Sequence, residues 1–133
     1  MTPRFLLDTH VLIWWLGGSK RLSAEHRRVI RNALHHRELV AISAITLLEI
    51  AVLGQAGSRR QIPAQKVLTE IDSSQDFQIL PLTVEIAAEV IAMGRSLQDP
   101  VDRVIVATAR IHGLRLITAD QRIIDSKLVS VVV

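Results

Sequence analysis

The stretch RFLLDTHVLIWWL, residues 4–16, decides how this chain is to be understood, because it places one carboxylate inside an apolar run. FLLD is typical of a short buried strand, and HVLIWWLG of a helix that ends near Gly17 and Gly18. Asp8 stands between the two. An ionised carboxylate is costly to remove from water unless a partner compensates its charge. Asp8 is therefore either a cap at a strand-to-helix junction or part of a site.

Length and composition predict a single folded domain over residues 1–133. Hydrophobic residues make up 49% of the chain, which argues against a disordered protein and allows a substantial core. Cysteine is absent, so disulfides and thiolate metal sites are excluded. Because no apolar run is long enough to cross a bilayer and no secretory leader opens the sequence, we expect a cytoplasmic protein with no membrane partner.

The hydrophobic period alternates along the chain between strand and helix. This alternation predicts an α/β fold, a three-layer α/β/α sandwich around a mainly parallel sheet of about five strands. Ser23, Ser43 and Asp99 are placed as helix caps, and Pro63 as a first helical residue. Strands are predicted over 5–8, 39–43, 77–80, 114–118 and 128–133, and helices over 10–17, 23–37, 43–53, 63–72, 83–93 and 99–113.

Four carboxylates differ from the others in where they fall. Each lies near the carboxyl end of a predicted strand or in the opening turns of a helix, and two of them point into apolar helix faces. In open α/β sheets ligands bind at the carboxyl ends of the strands, so these side chains are predicted to form one site. The four residues are Asp8, Glu49, Asp102 and Asp120.

Carboxylates gathered in this way would repel one another unless a cation lay between them. Without cysteine, and without histidines at metal-ligand spacing, the oxygen ligands favour Mg²⁺ or Mn²⁺ over Zn²⁺. Structural alternatives stay open for each residue taken alone. Asp99 is predicted to be a cap rather than a ligand, Asp120 equally suits the cap of a short helix over 120–126, and Glu49 suits a partly exposed helix position.

Four motifs in this order and spacing resemble the PIN-domain nucleases, and among them the VapC-type toxins of prokaryotic toxin–antitoxin pairs. The resemblance covers essentially the whole chain, and the motifs are LLDTHVLIWWL, ISAITLLEIAVL, DPVDRVIVATA and LITADQRI. It implies that the acidic residues of the family fall on the four carboxylates above, and its helper hydroxyls on Thr9 and Thr118. Val101 departs from the pattern, since this branch often has Phe there; nothing catalytic depends on it.

The resemblance also implies Mg²⁺-dependent endoribonuclease activity, a homodimer, and a cognate antitoxin that covers the site. We predict that Asp8, Asp102 and Asp120 bind the metal directly. Glu49 either binds it through water or orients the attacking water, and Thr118 hydrogen-bonds that water or the scissile phosphate. Whether one or two ions act stays open. A metal-activated water would cleave the phosphodiester bond, leaving a 5′-phosphate and a 3′-hydroxyl.

The net charge is only +3, but basic residues cluster unevenly, which suits an anionic partner such as RNA. Arg27 and Arg31 form a ridge with His35 on the predicted second helix, and together with Thr9 they are candidate RNA contacts. An ordinary solvated helix face is the alternative. Further basic residues lie at Lys20, Arg21, Arg28, Arg59 and Arg60, and the histidines are predicted to be surface residues.

Trp14 and Trp15 point in different directions on the predicted first helix. One is expected to fill the core, and the other to contact an antitoxin or a second copy of the chain.

Particular residues bear on the rival functions. A phosphoacceptor receiver domain would need adjacent acids after the first strand and an Asp ending the third, but Thr9 and Pro81 stand there. A PIN-like module that only binds would be expected to have lost an acid. A metal-dependent nuclease acting on structured DNA and a housekeeping RNA-processing nuclease stay open, because the preference for RNA rests on the resemblance.

Overall fold

The computed structural model describes residues 3–55, 57 and 61–133. Its five strands form one sheet in the order β3-β2-β1-β4-β5, and every pair of neighbours is parallel. The strands are β1 (Phe5–Leu7), β2 (Val40–Ser43), β3 (Phe77–Leu80), β4 (Arg115–Ile117) and β5 (Val131–Val132). The helices are α1 (Thr9–Gly17), α2 (Ala24–His35), α3 (Ala44–Leu53), α4 (Ala64–Ser73), α5 (Val84–Ala92), α6 (Pro100–His112) and α7 (Gln121–Ser126). The predicted α/β class and parallel sheet are confirmed.

The order of the strands reverses at β1. The chain first builds outward from β1 to β2 and β3, and then returns to place β4 and β5 on the other side. The backbone N–H of Asp8 continues the pairing beyond the strand by donating to the carbonyl of Ile117 at 3.0 Å. In sheets of this kind the crevice beside such a reversal, at the carboxyl ends of the strands, is the usual place for a ligand.

Two apolar layers hold helices on both faces of the sheet, because alternate residues of each strand point to opposite sides. Leu7, Ile42 and Ile117 face the layer covered by residues of α1, α2, α3 and α4. Leu6, Ala41 and Leu116 face the layer covered by residues of α5, α6 and α7. The three-layer arrangement predicted from the alternation is therefore present. No helix in the described ranges is long and apolar enough to cross a membrane.

Several boundaries differ from the sequence-based expectation. Pro63 is the residue before α4 rather than its first residue, and α1 begins at Thr9 because Asp8 caps it. β5 is shorter than the predicted 128–133, because side chains take up the backbone hydrogen-bonding groups of Leu128. Arg110 donates to its carbonyl at 2.6 Å, and the Ser126 hydroxyl accepts from its N–H at 3.3 Å. Arg59 and Arg60 lie outside the described residues.

His26 is the clearest error among the predicted surface residues. It is only 2% exposed, and its Nε2 donates to the carbonyl of Val132 at 2.9 Å, while Nδ1 has no partner in the part of the chain that the structure describes. The signal was present in the sequence, because His26 shares one helical face with the buried residues Val29, Ile30 and Ala33. Trp14 and Trp15 were predicted to differ, one filling the core and the other contacting a partner. In the structure both side chains are half-buried against this layer.

Candidate active site

The four predicted carboxylates meet at the carboxyl edge of the sheet, and we refer to them together as the acid site. Asp8 follows β1 and caps α1, while Asp120 follows β4 and caps α7. Glu49 lies on α3 behind β2, and Asp102 lies in the first turn of α6. Their charges act on one another: Asp8, Asp120 and Glu49 all raise the pKa of Asp102.

Asp8 is buried and its two oxygens are held from opposite sides. The Thr118 hydroxyl donates to Oδ2 at 2.7 Å, and the backbone N–H of Thr9 donates to Oδ1 at 2.7 Å. Burial raises the pKa of Asp8, whereas these two hydrogen bonds and the charge of His10 oppose the rise. Asp8 is therefore a helix cap and, at the same time, a member of the acid site.

Asp102 and Glu49 both have a raised pKa. Burial, followed by the charges of Asp99 and the other acids, raises the pKa of Asp102 to about 7. Burial also raises the pKa of the half-buried Glu49, and the neighbouring Thr9 hydroxyl and His10 oppose it. Carboxyls in such surroundings have a high affinity for a proton or another cation.

Asp120 differs because an arginine accompanies it. Arg122 donates from Nη2 to Asp120 Oδ2 at 3.1 Å, and the same nitrogen lies 3.9 Å from Asp102 Oδ2. Burial raises the pKa of Asp120, but hydrogen bonds from the Arg122 side chain and backbone outweigh it and leave that pKa lowered. The short helix that was an alternative explanation for Asp120 does form, with its Oδ1 accepting from the Arg122 N–H at 2.9 Å.

The two predicted helper hydroxyls are fully buried and already committed. Thr118 donates to Asp8 and accepts from the N–H of Asp120 at 3.0 Å, so its proton is not free for water or phosphate. The Thr9 hydroxyl lies 3.0 Å from that of Thr46. Thr9 has no exposed surface and cannot be the RNA contact that was predicted. Both threonines fix the acids from inside instead.

Asp99 is a cap, as predicted. Its Oδ1 accepts from the N–H groups of Val101 at 2.9 Å and Asp102 at 3.1 Å, at the start of α6. The carboxylate is exposed, yet its charge still raises the pKa of both Asp102 and Glu49.

The donor set of the acid site suits a hard divalent cation. All of its donors are carboxylate oxygens, and the pKa of Asp102 shows that a cation between them would relieve their repulsion. Within residues 3–55, 57 and 61–133, no three acidic or histidine side chains enclose one cation-sized position as they stand. Arg122 lies on the oxygens of two of the acids. The fit therefore rests on the chemistry of the donors and their shared charge.

Among the clefts outside the acid site, two bear on its function. The first, which we call the arginine cleft, has a volume of about 520 Å³ and is lined by Ala24, Arg27, Arg28, Arg31, Asn32 and His35 of α2. The second, which we call the tryptophan cleft, has a volume of about 390 Å³ and is lined by His10, Ile13, Trp14, Ser19, Arg21, Leu53, Gln61 and Ile62. Lys20 is exposed and lines neither cleft.

The arginine cleft is tied structurally to the acid site. His26, on the buried side of the same helix, donates to the Val132 carbonyl, which also accepts from the N–H of Thr118 at 3.3 Å. Arg27 and Arg31 stay predicted RNA contacts, whereas Arg122 was not predicted from the sequence. The signal for Arg122 was a basic residue two positions after a predicted ligand.

The three-layer fold and the acidic side chains at the carboxyl edge of its sheet fit a nuclease of the hydrolase class, and comparison with known proteins agrees. The model of the PIN domain matches residues 5–127. The chain therefore belongs to the PIN-domain family.

The relatives narrow this further. Ribonuclease VapC22 of Mycobacterium tuberculosis is 35% identical over 120 residues, which are 89% of this chain and 88% of that protein. A toxin–antitoxin complex from Klebsiella pneumoniae contains a chain 25% identical to this one with a TM-score of 0.64, covering 96% of this chain and 95% of that one. VapBC2 from Rickettsia felis, bound to a promoter DNA fragment, shares the fold with a TM-score of 0.71 at 12% identity, covering 96% of both chains. The chain is thus a VapC-type protein and a nuclease of the PIN-domain family.

The raised pKa of Asp102 predicts a measurable pH dependence of stability. The unfolded chain releases this proton near pH 4, whereas the folded chain holds it up to about pH 7, so the free energy of unfolding falls as pH rises between these values. In EDTA, Asp102→Asn should raise the melting temperature over the unmodified chain at pH 8 and leave it nearly unchanged at pH 4. Thermal unfolding followed by circular dichroism measures this.

Asp72→Asn, on the exposed face of α4, is the matched control and should change the melting temperature equally little at both values. If the gain in melting temperature from Asp102→Asn did not grow with pH, the raised pKa assigned to Asp102 would be contradicted.

Proposed function

We propose that this chain is a Mg²⁺-dependent endoribonuclease that acts as the toxin of a toxin–antitoxin pair. The observation that carries the proposal is the convergence of Asp8, Glu49, Asp102 and Asp120 at the carboxyl edge of the sheet, where burial and the charges of the other acids raise the pKa of Asp102. The 35% identity to a ribonuclease supports RNA as the substrate.

Asp8, Asp102 and Asp120 would hold the ion, and Mn²⁺ is expected to replace Mg²⁺. When bound, the ion supplies a Lewis acid for the phosphoryl oxygen and lowers the pKa of a water ligand. Asp8 is the anchor, because Thr118 and Thr9 fix both of its oxygens. Glu49, whose pKa is raised by burial, suits the group that orients the attacking water and accepts its proton. Attack in line with the leaving oxygen leaves a 5′-phosphate and a 3′-hydroxyl.

The arginine cleft would hold the RNA backbone. Arg27 and Arg31 stand one helical turn apart on its wall, and such contacts to phosphate supply affinity with little choice of sequence. The arginines lie on the helix whose His26 contacts the carbonyl of Val132, which also accepts from the N–H of Thr118, and we propose that the bound RNA runs from this cleft to the acids.

Cleavage by the purified chain is the direct test of this mechanism. RNA should be cut with Mg²⁺ or Mn²⁺, poorly with Zn²⁺, and not at all in EDTA. Asp8→Asn should lower the rate below detection, because it removes a ligand charge that no neighbour replaces. Asp99→Asn should retain the rate within about twofold, since Asn caps a helix about as well as Asp. Gel analysis of an end-labelled RNA measures all of these results.

Full cleavage in EDTA would remove the metal mechanism. If Asp99→Asn were as inactive as Asp8→Asn, the division between cap and ligand at the start of α6 would be wrong.

The tryptophan cleft suits an antitoxin segment. Its apolar walls include Trp14, Leu53 and Ile62, and its His10 side lies close enough to the acid site to lower the pKa of Asp8. An antitoxin arginine inserted from there would pair two carboxylates with its planar fork and block the ion and the phosphate together. Several similar structures are toxin–antitoxin complexes, which supports such a partner. RNA and an antitoxin partner would both be met in the cytoplasm.

Growth of cells distinguishes a toxin from a housekeeping nuclease. Induction of this chain alone should arrest growth, whereas Asp8→Asn should not, because it cannot hold the ion. Co-expression with a small partner encoded beside the chain should restore growth. Colony counts, with immunoblots to verify equal expression, measure the effect. Equal growth of all three cultures would contradict the toxin assignment.

An exposed apolar face supports a homodimer. Val84 and Ile91 are 88% and 80% exposed and lie seven residues apart, on the same side of α5. Leu48 and Val52 form a second exposed pair, one turn apart on α3. Apolar surface of this extent is unfavourable in water, and two-fold pairing is the commonest way in which a chain covers it.

Ile91→Lys should therefore convert the dimer to a monomer, since a charge at a closed apolar interface is costly to bury. Light scattering on the unmodified chain should give twice the 14.8 kDa mass of one chain, and the variant should give that mass once. Gln65→Lys adds the same charge to exposed α4 and should stay dimeric. A monomeric unmodified chain would contradict the proposal.

A further inference from the structure

Arg122 is the cation of the acid site. Its Nη2 lies 3.1 Å from Asp120 Oδ2 and 3.9 Å from Asp102 Oδ2, and its Nε lies 3.3 Å from Asp120 Oδ1. In the part of the chain that the structure describes, no other lysine or arginine forms an ion pair with any of the four acids.

Arg122 is fixed at its backbone, whereas its guanidinium is exposed. The backbone of Arg122 is fixed, because its N–H donates to Asp120 at 2.9 Å in the first turn of α7. The side chain, by contrast, is 74% exposed, and among the described residues no hydrogen bond other than those to Asp120 holds its guanidinium. The guanidinium can therefore leave the carboxylates without disturbing the core.

The oxygens that Arg122 faces are also those proposed to bind the metal ion. Asp102 and Asp120 are two of the three proposed metal ligands, and a divalent ion bound to their oxygens would be repelled by a guanidinium whose Nη2 lies 3.9 Å and 3.1 Å from those oxygens. Asp8, the third, is satisfied by Thr118 and Thr9 and has no contact with Arg122. Arg122 and the ion are thus alternatives at one half of the acid site.

We propose that Arg122 is an exchangeable cation: it neutralises Asp102 and Asp120, yields them to the incoming metal ion, and then binds a phosphate of the RNA at the mouth of the site. The inference rests on the proposed function and adds a residue to it. Displacement provides the phosphate contact at the moment it is needed, because a guanidinium released beside a bound dication is attracted by the nearest anion, which is the substrate backbone.

Metal affinity tests the exchange without any cleavage. Mn²⁺ titrated calorimetrically into Arg122→Gln should bind about three- to fivefold more tightly than into the unmodified chain, as expected for loss of one exposed competing ion pair. Arg122→Lys should lie between them, because a lysine pairs with one carboxylate rather than two. A residue that merely oriented the acids for metal would give the opposite sign, with weaker binding in Arg122→Gln.

Arg4→Gln is the matched control. Arg4 is 61% exposed and forms a two-fold hydrogen-bonded pair with Glu38 before β1, at the opposite end of that strand from Asp8. It removes the same charge and the same type of ion pair, so it should leave the Mn²⁺ affinity unchanged. Asp102→Asn should weaken binding and so confirms that the titrated site is the acid site.

RNA kinetics test the second half of the proposal. Arg122→Gln should raise KM severalfold at saturating Mg²⁺ with kcat nearly unchanged, because a contact to phosphate remote from the reacting bond contributes equally to substrate and transition state. An unchanged KM would overturn the phosphate contact, and an Mn²⁺ affinity unchanged or weakened by Arg122→Gln would overturn the exchange. If the unmodified chain and every variant bound no Mn²⁺, the proposed function itself would fail as well.

Discussion

The 2.7 Å hydrogen bond from the Thr118 hydroxyl to Asp8 is the contact on which the rest of the site depends. It joins the ends of β1 and β4, the two neighbouring strands between which the sheet reverses its order. A buried carboxylate without donors would be expelled or protonated. With Thr118 on one oxygen and the N–H of Thr9 on the other, Asp8 is held inside the protein at the edge where the other acids arrive. Thr118 also accepts from the Asp120 N–H, so one side chain positions two acids.

The cost of this arrangement is electrostatic. Burial and, after it, the neighbouring negative charges raise the pKa of Asp102 to about 7. The chain offsets part of it with Arg122 at the mouth of the site. A site that is strained by its own charge is well suited to binding a dication, because the ion relieves a repulsion that folding has already imposed. Stability is given up where function needs it.

Much of the architecture could be predicted from local signals. The alternation of strand and helix predicted the parallel sheet, and Ser23, Ser43 and Asp99 marked helix starts that the structure confirms. The predictions failed where a distant partner takes over a local preference. The start of β5 depends on Arg110 of α6, which donates to the carbonyl of Leu128, and the buried His26 is accommodated because the carbonyl of Val132 accepts its hydrogen bond.

The same division runs through the site. The sequence by itself determined which acids are present and that each follows a strand or opens a helix; since parallel strands end at a common edge, this was enough to predict that they would meet. Only the tertiary structure decided what each neighbour does. Thr118 turns inward to Asp8 rather than outward to substrate, and Thr9 is sealed against Thr46. Arg122 closes over two acids that lie on different helices. The reason is physical: a hydroxyl or a guanidinium turns towards the acceptor that lies nearest in space, and for Thr118, for Thr9 and for the contact of Arg122 with Asp102 that acceptor belongs to a distant part of the sequence.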